Sequence, residues 1–193
     1  MKSLFKCFPK VREKRLIFLS RIHPKKGLDL LLKVWSDLDQ ALVRNWEIAV
    51  FGPDERGYLA EIKALARQLN IEDSVSFFGS VSGIDKEAAF RSGNLFVLPS
   101  RSEGFPLAVL EAASYALPVI QTTECNFPEL TEAGGAWEGE PEIDSIKQVL
   151  ESALRADDKE RQQRGEAGKA LVSRNYQWSA IAVQVEAACK KYC

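Results

Sequence analysis

Asn94-Leu-Phe-Val-Leu-Pro-Ser-Arg-Ser-Glu-Gly-Phe-Pro-Leu-Ala-Val-Leu-Glu-Ala112 joins an apolar run, a polar loop and a second apolar segment with a helical pattern. The uninterrupted apolar run at 95–98 is typical of a parallel strand that is covered on both faces. Pro106 suits the first position of a helix, where its missing N–H is not needed. This segment therefore predicts a βα unit whose connecting loop carries Glu103 and Gly104, a glycine that allows close approach of the backbone to a ligand.

The same alternation extends along the chain in both directions. It predicts strands at 15–20, 46–51, 75–78, 94–98 and 118–120, with an edge strand at 135–137. Helical periodicity predicts helices from 27 and 142 onward and over 59–69, 85–92, 106–116, 159–173 and 178–190. Repeated βα units predict an α/β fold, a Rossmann-like parallel sheet flanked by helices. Ligands of such sheets bind at the carboxyl ends of the strands.

Composition excludes several classes of protein. The 193 residues suffice for one α/β domain, and 46% of them are hydrophobic while 27% are charged. The formal net charge of −1 argues against a nucleic-acid-binding protein. No apolar run approaches the roughly 18 residues that span a bilayer. We expect residues 1–14 to be a lead-in or the remnant of a linker, and residues 15–193 to form the domain.

Motif absences narrow the chemistry further. There is no GxGxxG after the first strand and no GxxxxGK[ST], which argues against dinucleotide and P-loop proteins. The chain has one histidine and four cysteines without a CxxC pair, so a structural metal site is not expected. The cysteines are interpreted as reduced thiols of a cytoplasmic protein.

The loop after the first strand, Ser20-Arg-Ile-His-Pro-Lys-Lys-Gly27, is basic. It leads into a helix N-terminus, whose free amides and dipole favour an anion. Arg21 can bind a diphosphate with its planar fork, and Lys26 adds a point charge. Taken alone, the loop is more readily interpreted as a solvated basic turn.

Two glutamates flank the start of the helix that begins near Pro106. Glu103 precedes it, and Glu111 lies in its second turn, beside a predicted buried stripe of Leu110, Ala113 and Leu117. Carboxylates accept hydrogen bonds from sugar hydroxyls. Each glutamate alone could instead be a surface residue, or one that stabilises the helix dipole.

The combination of E-G-F-P-x-x-x-x-E with an upstream R-x-H-P-K-K-G resembles the retaining glycosyltransferases of family 4, which have the GT-B fold. The resemblance extends from Arg15 to about Trp178. It includes Phe51-Gly-Pro-Asp54, Val75-Ser-Phe-Phe-Gly79 and Leu95-Phe-Val-Leu-Pro-Ser100. The departures are Ser20, Tyr115-Ala116 and the loosely matching region 122–132.

By position, the resemblance implies that the domain binds a nucleotide-diphosphate sugar, most commonly a UDP- or GDP-sugar. Arg21 and Lys26 would hold the diphosphate, and Glu103 would contact the transferred sugar, which makes these three the candidate catalytic residues. Glu111 would accept hydrogen bonds from the ribose. The remaining donor-binding positions would be Gly104, Phe105, Pro106 and Leu107 near the phosphate and sugar, and Ser80 and Val81 near the base. The resemblance implies no metal and no cofactor.

The resemblance covers the C-terminal, donor-binding half of a GT-B enzyme. An acceptor glycan or lipid-linked sugar would bind through a missing N-terminal domain, toward which the last helix would pack. The full enzyme would transfer a hexosyl group to a hydroxyl in polysaccharide or glycoconjugate synthesis. We expect it in the cytoplasm, where the inner face of the membrane is a compatible site of peripheral association. Two alternatives stay open: a non-catalytic nucleotide-sugar-binding module that needs a separate acceptor-domain partner, and a nucleotide-sugar epimerase.

Overall fold

The computed structural model describes residues 12–177 together with residues 182, 186 and 189. Within this part of the chain, six parallel strands form one sheet in the order β3-β2-β1-β4-β5-β6. They are β1 (Lys14–Leu19), β2 (Trp46–Phe51), β3 (Val75–Gly79), β4 (Leu95–Leu98), β5 (Val119–Thr122) and β6 (Ala136–Gly139). The predicted α/β class and the predicted edge strand are therefore confirmed, and the strand order reverses direction between β1 and β4.

Helices cover both faces of the sheet. In the described part of the chain they are α1 (Leu28–Ser36), α2 (Gln40–Val43), α3 (Tyr58–Gln68), α4 (Gly83–Arg91), α5 (Leu107–Ser114), α6 (Pro128–Glu132), α7 (Ile143–Arg155) and α8 (Asp158–Asn175). The sequence did not predict α2 and α6, because helices of four and five residues are too short to show a period. The predicted helix over 178–190 lies outside the described residues except at three single positions. None of the described helices is long and apolar enough to cross a membrane.

The core lies on both faces of the sheet, because three of the four inner strands are buried along their whole length. Every residue of β2, β4 and β5 is buried. The one charged residue within these three strands, Glu47, forms an ion pair with Arg15 of the neighbouring strand β1. Trp35 of α1 is also buried, and its indole N–H donates to the Ser74 hydroxyl at 3.0 Å. Both of these buried polar groups are thus paired, as a low-dielectric interior favours.

The helix α5 buries a broader face than the sequence predicted. Its buried residues are Val109, Ala112 and Ala113, and Leu117 is buried beyond the end of the helix. The predicted stripe is therefore confirmed at Ala113 and Leu117, whereas Leu110 is only partly buried. Periodicity alone does not define the buried face, because this helix is apolar on nearly every side.

The helix α8 packs against α5 at glycine positions. A Cβ added to Gly165 would lie 2.0 Å from the carbonyl oxygen of Ala116, in the turn that follows α5. A Cβ added to Gly168 would lie 3.2 Å from the Leu130 side chain and 3.4 Å from that of Ala113, and its nearest backbone atom, the Cα of Gly135, would be at an ordinary contact distance of 3.8 Å. Contact between α8 and the turn after α5 therefore requires a residue without a side chain at position 165.

We expect the substitution Gly165→Ala to lower the free energy of unfolding by about 1–3 kcal/mol, because the added methyl group collides with backbone rather than with a flexible side chain. Gly168→Ala is the matched control in the same helix. There the gain in helix propensity offsets mild crowding, so its unfolding free energy should stay within about 1 kcal/mol of wild type. Urea unfolding measures both values, and equal effects of the two substitutions would contradict the packing argument.

Candidate functional site

The loops after β1 and β4 are joined to each other by hydrogen bonds. The backbone N–H of Arg101 donates to the Lys25 carbonyl at 2.7 Å, and the Ser100 hydroxyl donates to the same oxygen at 2.9 Å. The Arg101 guanidinium binds both carboxylate oxygens of Asp29 in α1, each at 2.8 Å. Two segments that are far apart in sequence therefore form one unit at the carboxyl end of the sheet.

Gly27 allows these two loops to come this close. Its φ of 70° lies in the left-handed region, and a Cβ at this position would lie 1.8 Å from the Pro99 carbonyl oxygen. Only glycine fits both the backbone conformation and the contact. The basic loop predicted from the sequence thus ends directly against the segment that leads to Glu103.

Lys26 and Glu103 meet where the two loops join. The Lys26 ammonium nitrogen lies 2.5 Å from a Glu103 carboxylate oxygen, and the two side chains are only 13% and 9% exposed. A pair this buried is held in one geometry by its surroundings, and removing either partner would leave a buried charge without its counterion.

The segment after β5 supports the Glu103 loop from the other side. The Glu103 N–H donates to the Glu124 carbonyl at 3.0 Å, and the Asn126 side-chain amide donates to the Glu103 carbonyl at 2.6 Å. Asn126 has a φ of 54°, in the left-handed region that asparagine tolerates better than most residues. The support that Asn126 gives to the Glu103 loop was not predicted from the sequence, because the region 122–132 matched the family only loosely.

An aromatic cluster supports Phe105, two residues after Glu103 in the same loop. The ring of Phe105 lies 6.1 Å from that of Phe127 and 6.1 Å from that of Tyr176, and the last two rings meet edge to face at 5.3 Å. Burial raises the pKa of the Tyr176 hydroxyl, and the negative charge of Glu129 raises this pKa further. The phenol is therefore neutral at physiological pH.

The side chains of Arg21, Lys26, Glu103 and Glu111 line one cleft with a volume of about 390 Å³. Leu19 and Leu98, the last residues of β1 and β4, also line this cleft, as do Ser20 in the loop after β1 and Ala108 in α5. The structure therefore brings together the four charged residues that the sequence analysis selected. They lie where the strand order reverses, which is the usual ligand position in open α/β sheets.

The other predicted donor-binding residues divide into two groups. Phe105, Pro106 and Leu107 line the same cleft, whereas the exposed Gly104 is not among its lining residues. Ser80 and Val81 follow β3, which is separated from β1 by β2, and they do not line the cleft either. Their contact with a nucleotide base stays a prediction.

Two further ion pairs involve the cleft. Arg21, whose side chain is 60% exposed, lies 2.7 Å from Glu55 in the loop after β2. Lys86 of α4 lines the cleft and lies 2.6 Å from the carboxylate of Glu111. Lys86 could not be selected from the sequence, because it lies in a helix without a recognisable motif. Within the described residues, each of the three cations that line the cleft is thus paired with a carboxylate.

The described residues contain no cluster that is placed for a metal ion, and Cys125 is buried. In residues 12–177, 182, 186 and 189, no group of three His, Cys, Asp or Glu residues is placed to hold a metal ion. Burial raises the pKa of the Cys125 thiol, although hydrogen bonds from Thr122 lower this pKa to a smaller extent. This cysteine is therefore a neutral, structural thiol.

The sheet order and the charged cleft at its switch point define a Rossmann-like domain of the GT-B glycosyltransferase type. The chain belongs to the family of glycosyl transferases group 1, whose model matches residues 3–171. Members of this family are enzymes that carry out glycosyl transfer.

Individual proteins resemble the chain over part of their length. A candidate colanic acid biosynthesis glycosyltransferase of Salmonella typhimurium, WcaL, is 30% identical over 137 residues, which is 67% of this chain and 33% of that protein. HepE of Anabaena, solved with UDP and glucose, has a TM-score of 0.80 at 19% identity and matches 93% of this chain and 49% of its own. The C-terminal domain of LpcC from Francisella tularensis has a TM-score of 0.74 at 22% identity, with 86% and 88% covered. The chain spans about a third of the length of the curated relatives it matches.

The Asp29–Arg101 pair predicts a defined pH dependence of stability. Burial raises the pKa of Asp29, but the hydrogen bonds and charge of Arg101, with the charge of Lys33, outweigh it and lower this pKa below the usual 3.8. The stabilisation is therefore complete above about pH 3.8 and is lost as the pH falls through the lowered value. We expect Asp29→Asn to lower the unfolding free energy by about 1–2 kcal/mol at pH 7, and this difference should shrink below pH 3.8.

Urea unfolding at neutral and acidic pH measures this effect. Asp37→Asn is the matched control, because Asp37 also pairs with a cation, Lys147, but its side chain is 66% exposed. An exposed pair of this kind contributes about 0–1 kcal/mol. A pH-independent loss in Asp29→Asn would show that the charge of Asp29 is not what joins the two loops.

Proposed function

We propose that this chain is the donor-binding domain of a retaining glycosyltransferase of family 4, and that its cleft binds a nucleotide-diphosphate sugar with UDP or GDP as the nucleotide. One observation carries the proposal. Three cations, two carboxylates and the amino end of α5 converge on a single cleft at the switch point of the sheet.

The diphosphate is assigned to the side of the cleft where positive groups meet. Arg21 and Lys26 line it together with Ala108, whose backbone N–H has no acceptor among the described residues. This amide lies in the first turn of α5, where the helix dipole adds positive potential. Two cations and a helix terminus suit a dianionic group, and Arg21 is exposed enough to exchange Glu55 for a phosphate.

The two carboxylates are assigned to the hydroxyl groups of the donor. Glu103 is held beside Lys26, so a sugar attached to the diphosphate would lie within its reach. Glu111 lies about one helical turn after Ala108 in α5, and both residues line the cleft. This position suits contact with the ribose. Ionised carboxylates accept hydrogen bonds only, and sugar and ribose hydroxyls can donate them.

The proposed reaction breaks the bond between the anomeric carbon and the diphosphate oxygen and forms a glycosidic bond to the acceptor oxygen. Negative charge develops on the departing diphosphate, and the proton of the acceptor hydroxyl passes to an oxygen of that diphosphate. Arg21, Lys26 and the amides of α5 lie where that charge develops, so they stabilise the transition state without a metal ion. Retention of the anomeric configuration is proposed from the family resemblance.

An acceptor site on a second Rossmann-like domain completes the proposal. This domain is proposed because the chain aligns with about a third of the length of its curated relatives. Closure of two domains over the cleft would exclude water from the reacting bond. The relative assigned to colanic acid supports a hexosyl transfer in polysaccharide or glycoconjugate synthesis. Location in the cytoplasm, with peripheral association of the full enzyme at the membrane, stays a prediction.

Nucleotide binding tests the proposal directly. We expect calorimetry to detect binding of UDP or GDP, and we expect Arg21→Met and Lys26→Met each to weaken it by roughly 10- to 100-fold, because each removes a charge-assisted hydrogen bond. Arg67→Met is the control for charge, since Arg67 is exposed on α3 and does not line the cleft.

Arg21→Met is the more informative of the two variants. Its side chain is mostly exposed, so the fold should be unaffected, whereas Lys26→Met leaves the buried carboxylate of Glu103 without a counterion. A folded wild-type chain that binds neither UDP nor GDP, nor ADP as a third nucleotide, would refute the proposed function.

A further inference from the structure

The pair formed by Lys86 and Glu111 connects helices α4 and α5 inside the cleft. The Lys86 ammonium nitrogen lies 2.6 Å from Oε1 and 2.6 Å from Oε2 of Glu111, so it bridges both carboxylate oxygens. This contact fixes the plane of the carboxylate. An ionised carboxylate has about four lone-pair sites, so each oxygen keeps one that is directed away from the lysine.

A second contact between the same helices sets the position of this pair. Phe90, four residues after Lys86, stacks on Tyr115, four residues after Glu111, with ring centroids 5.3 Å apart and planes at 15°. The Arg91 guanidinium lies over the Tyr115 ring at 5.3 Å. Residues four apart lie on one face of a helix, so α4 and α5 meet through two successive contacts, first the ion pair and then the aromatic stack.

The exposure of the pair separates a ligand-directed role from a structural one. The side chains of Lys86 and Glu111 are 32% and 42% exposed, and both line the cleft. A pair this exposed adds about 0–1 kcal/mol to stability, so it is not needed to hold the fold. Both groups are accessible to a molecule that enters the cleft.

We propose that Lys86 is a positioning residue, which orients the Glu111 carboxylate so that its outward lone pairs accept hydrogen bonds from the two ribose hydroxyls of the donor. This inference rests on the proposed function, in which Glu111 contacts the ribose.

The test compares UDP with 2′,3′-dideoxy-UDP by calorimetry, or the matching guanosine pair if the wild-type chain binds GDP instead. We expect Lys86→Met to weaken UDP binding about tenfold and to leave dideoxy-UDP binding nearly unchanged, since the analogue lacks the hydroxyls that Glu111 would accept from. Lys86→Arg should restore most of the loss. Lys86→Met combined with Glu111→Gln should bind UDP no more weakly than Glu111→Gln alone, because both act through one carboxylate.

Lys169→Met is the control, because Lys169 is exposed on α8 and does not line the cleft. Equal weakening of both nucleotides by Lys86→Met would overturn the inference, because it would place the lysine on the phosphates. Unchanged UDP binding would overturn it as well. If Arg21→Met weakens UDP binding but Glu111→Gln does not change the preference for the ribonucleotide, the donor proposal survives and the positioning role fails. If the wild-type chain binds no nucleotide, both fail.

Discussion

The buried ion pair between Lys26 and Glu103 is the contact on which the candidate site depends. It exists because the loops after β1 and β4 are joined by the backbone and guanidinium of Arg101 and by the close approach of Gly27 to Pro99. Neither charge could be desolvated alone, since a buried ion without a counterion is strongly destabilising. Formation of the fold and formation of the site are therefore one process at this point of the molecule.

Sheet topology explains why these two loops are neighbours although 77 positions separate Lys26 from Glu103. β1 and β4 are neighbouring parallel strands, so the loops that follow them leave the sheet at the same edge. The strand order reverses between β1 and β4, so the connection after β1 leads toward β2 on one side and the connection after β4 leads toward β5 on the other. The cleft opens between the diverging loops. The first loop supplies cations, and the second supplies Glu103 and leads into α5. The cleft between them can therefore contact the negative and the hydroxyl-bearing parts of one ligand.

The sequence predicted those features of the site that depend on local pattern. Continuous apolar runs identified the strands, and charged loops at their carboxyl ends pointed to Arg21, Lys26, Glu103 and Glu111. It did not predict Lys86 or Asn126, because their contacts join elements whose relative positions follow from packing, and no spacing along the chain encodes them. Leu110 was predicted to be buried and is only partly buried for a related reason, since an apolar helix takes its orientation from its neighbours.

The ion pairs of the cleft differ in how readily they can change partners. Lys26 is 13% exposed and held against Glu103 by two loops, whereas Arg21 is 60% exposed and its partner Glu55 does not line the cleft. An entering anion can therefore displace Glu55 from Arg21 while Lys26 and Glu103 keep their places. The fixed pair would set the position of the phosphate and the sugar, and Arg21 would complete the contact. Because the charges are paired before binding, only the exposed Arg21 side chain has to change its partner. Charged groups that need little reorganisation stabilise a transition state most effectively.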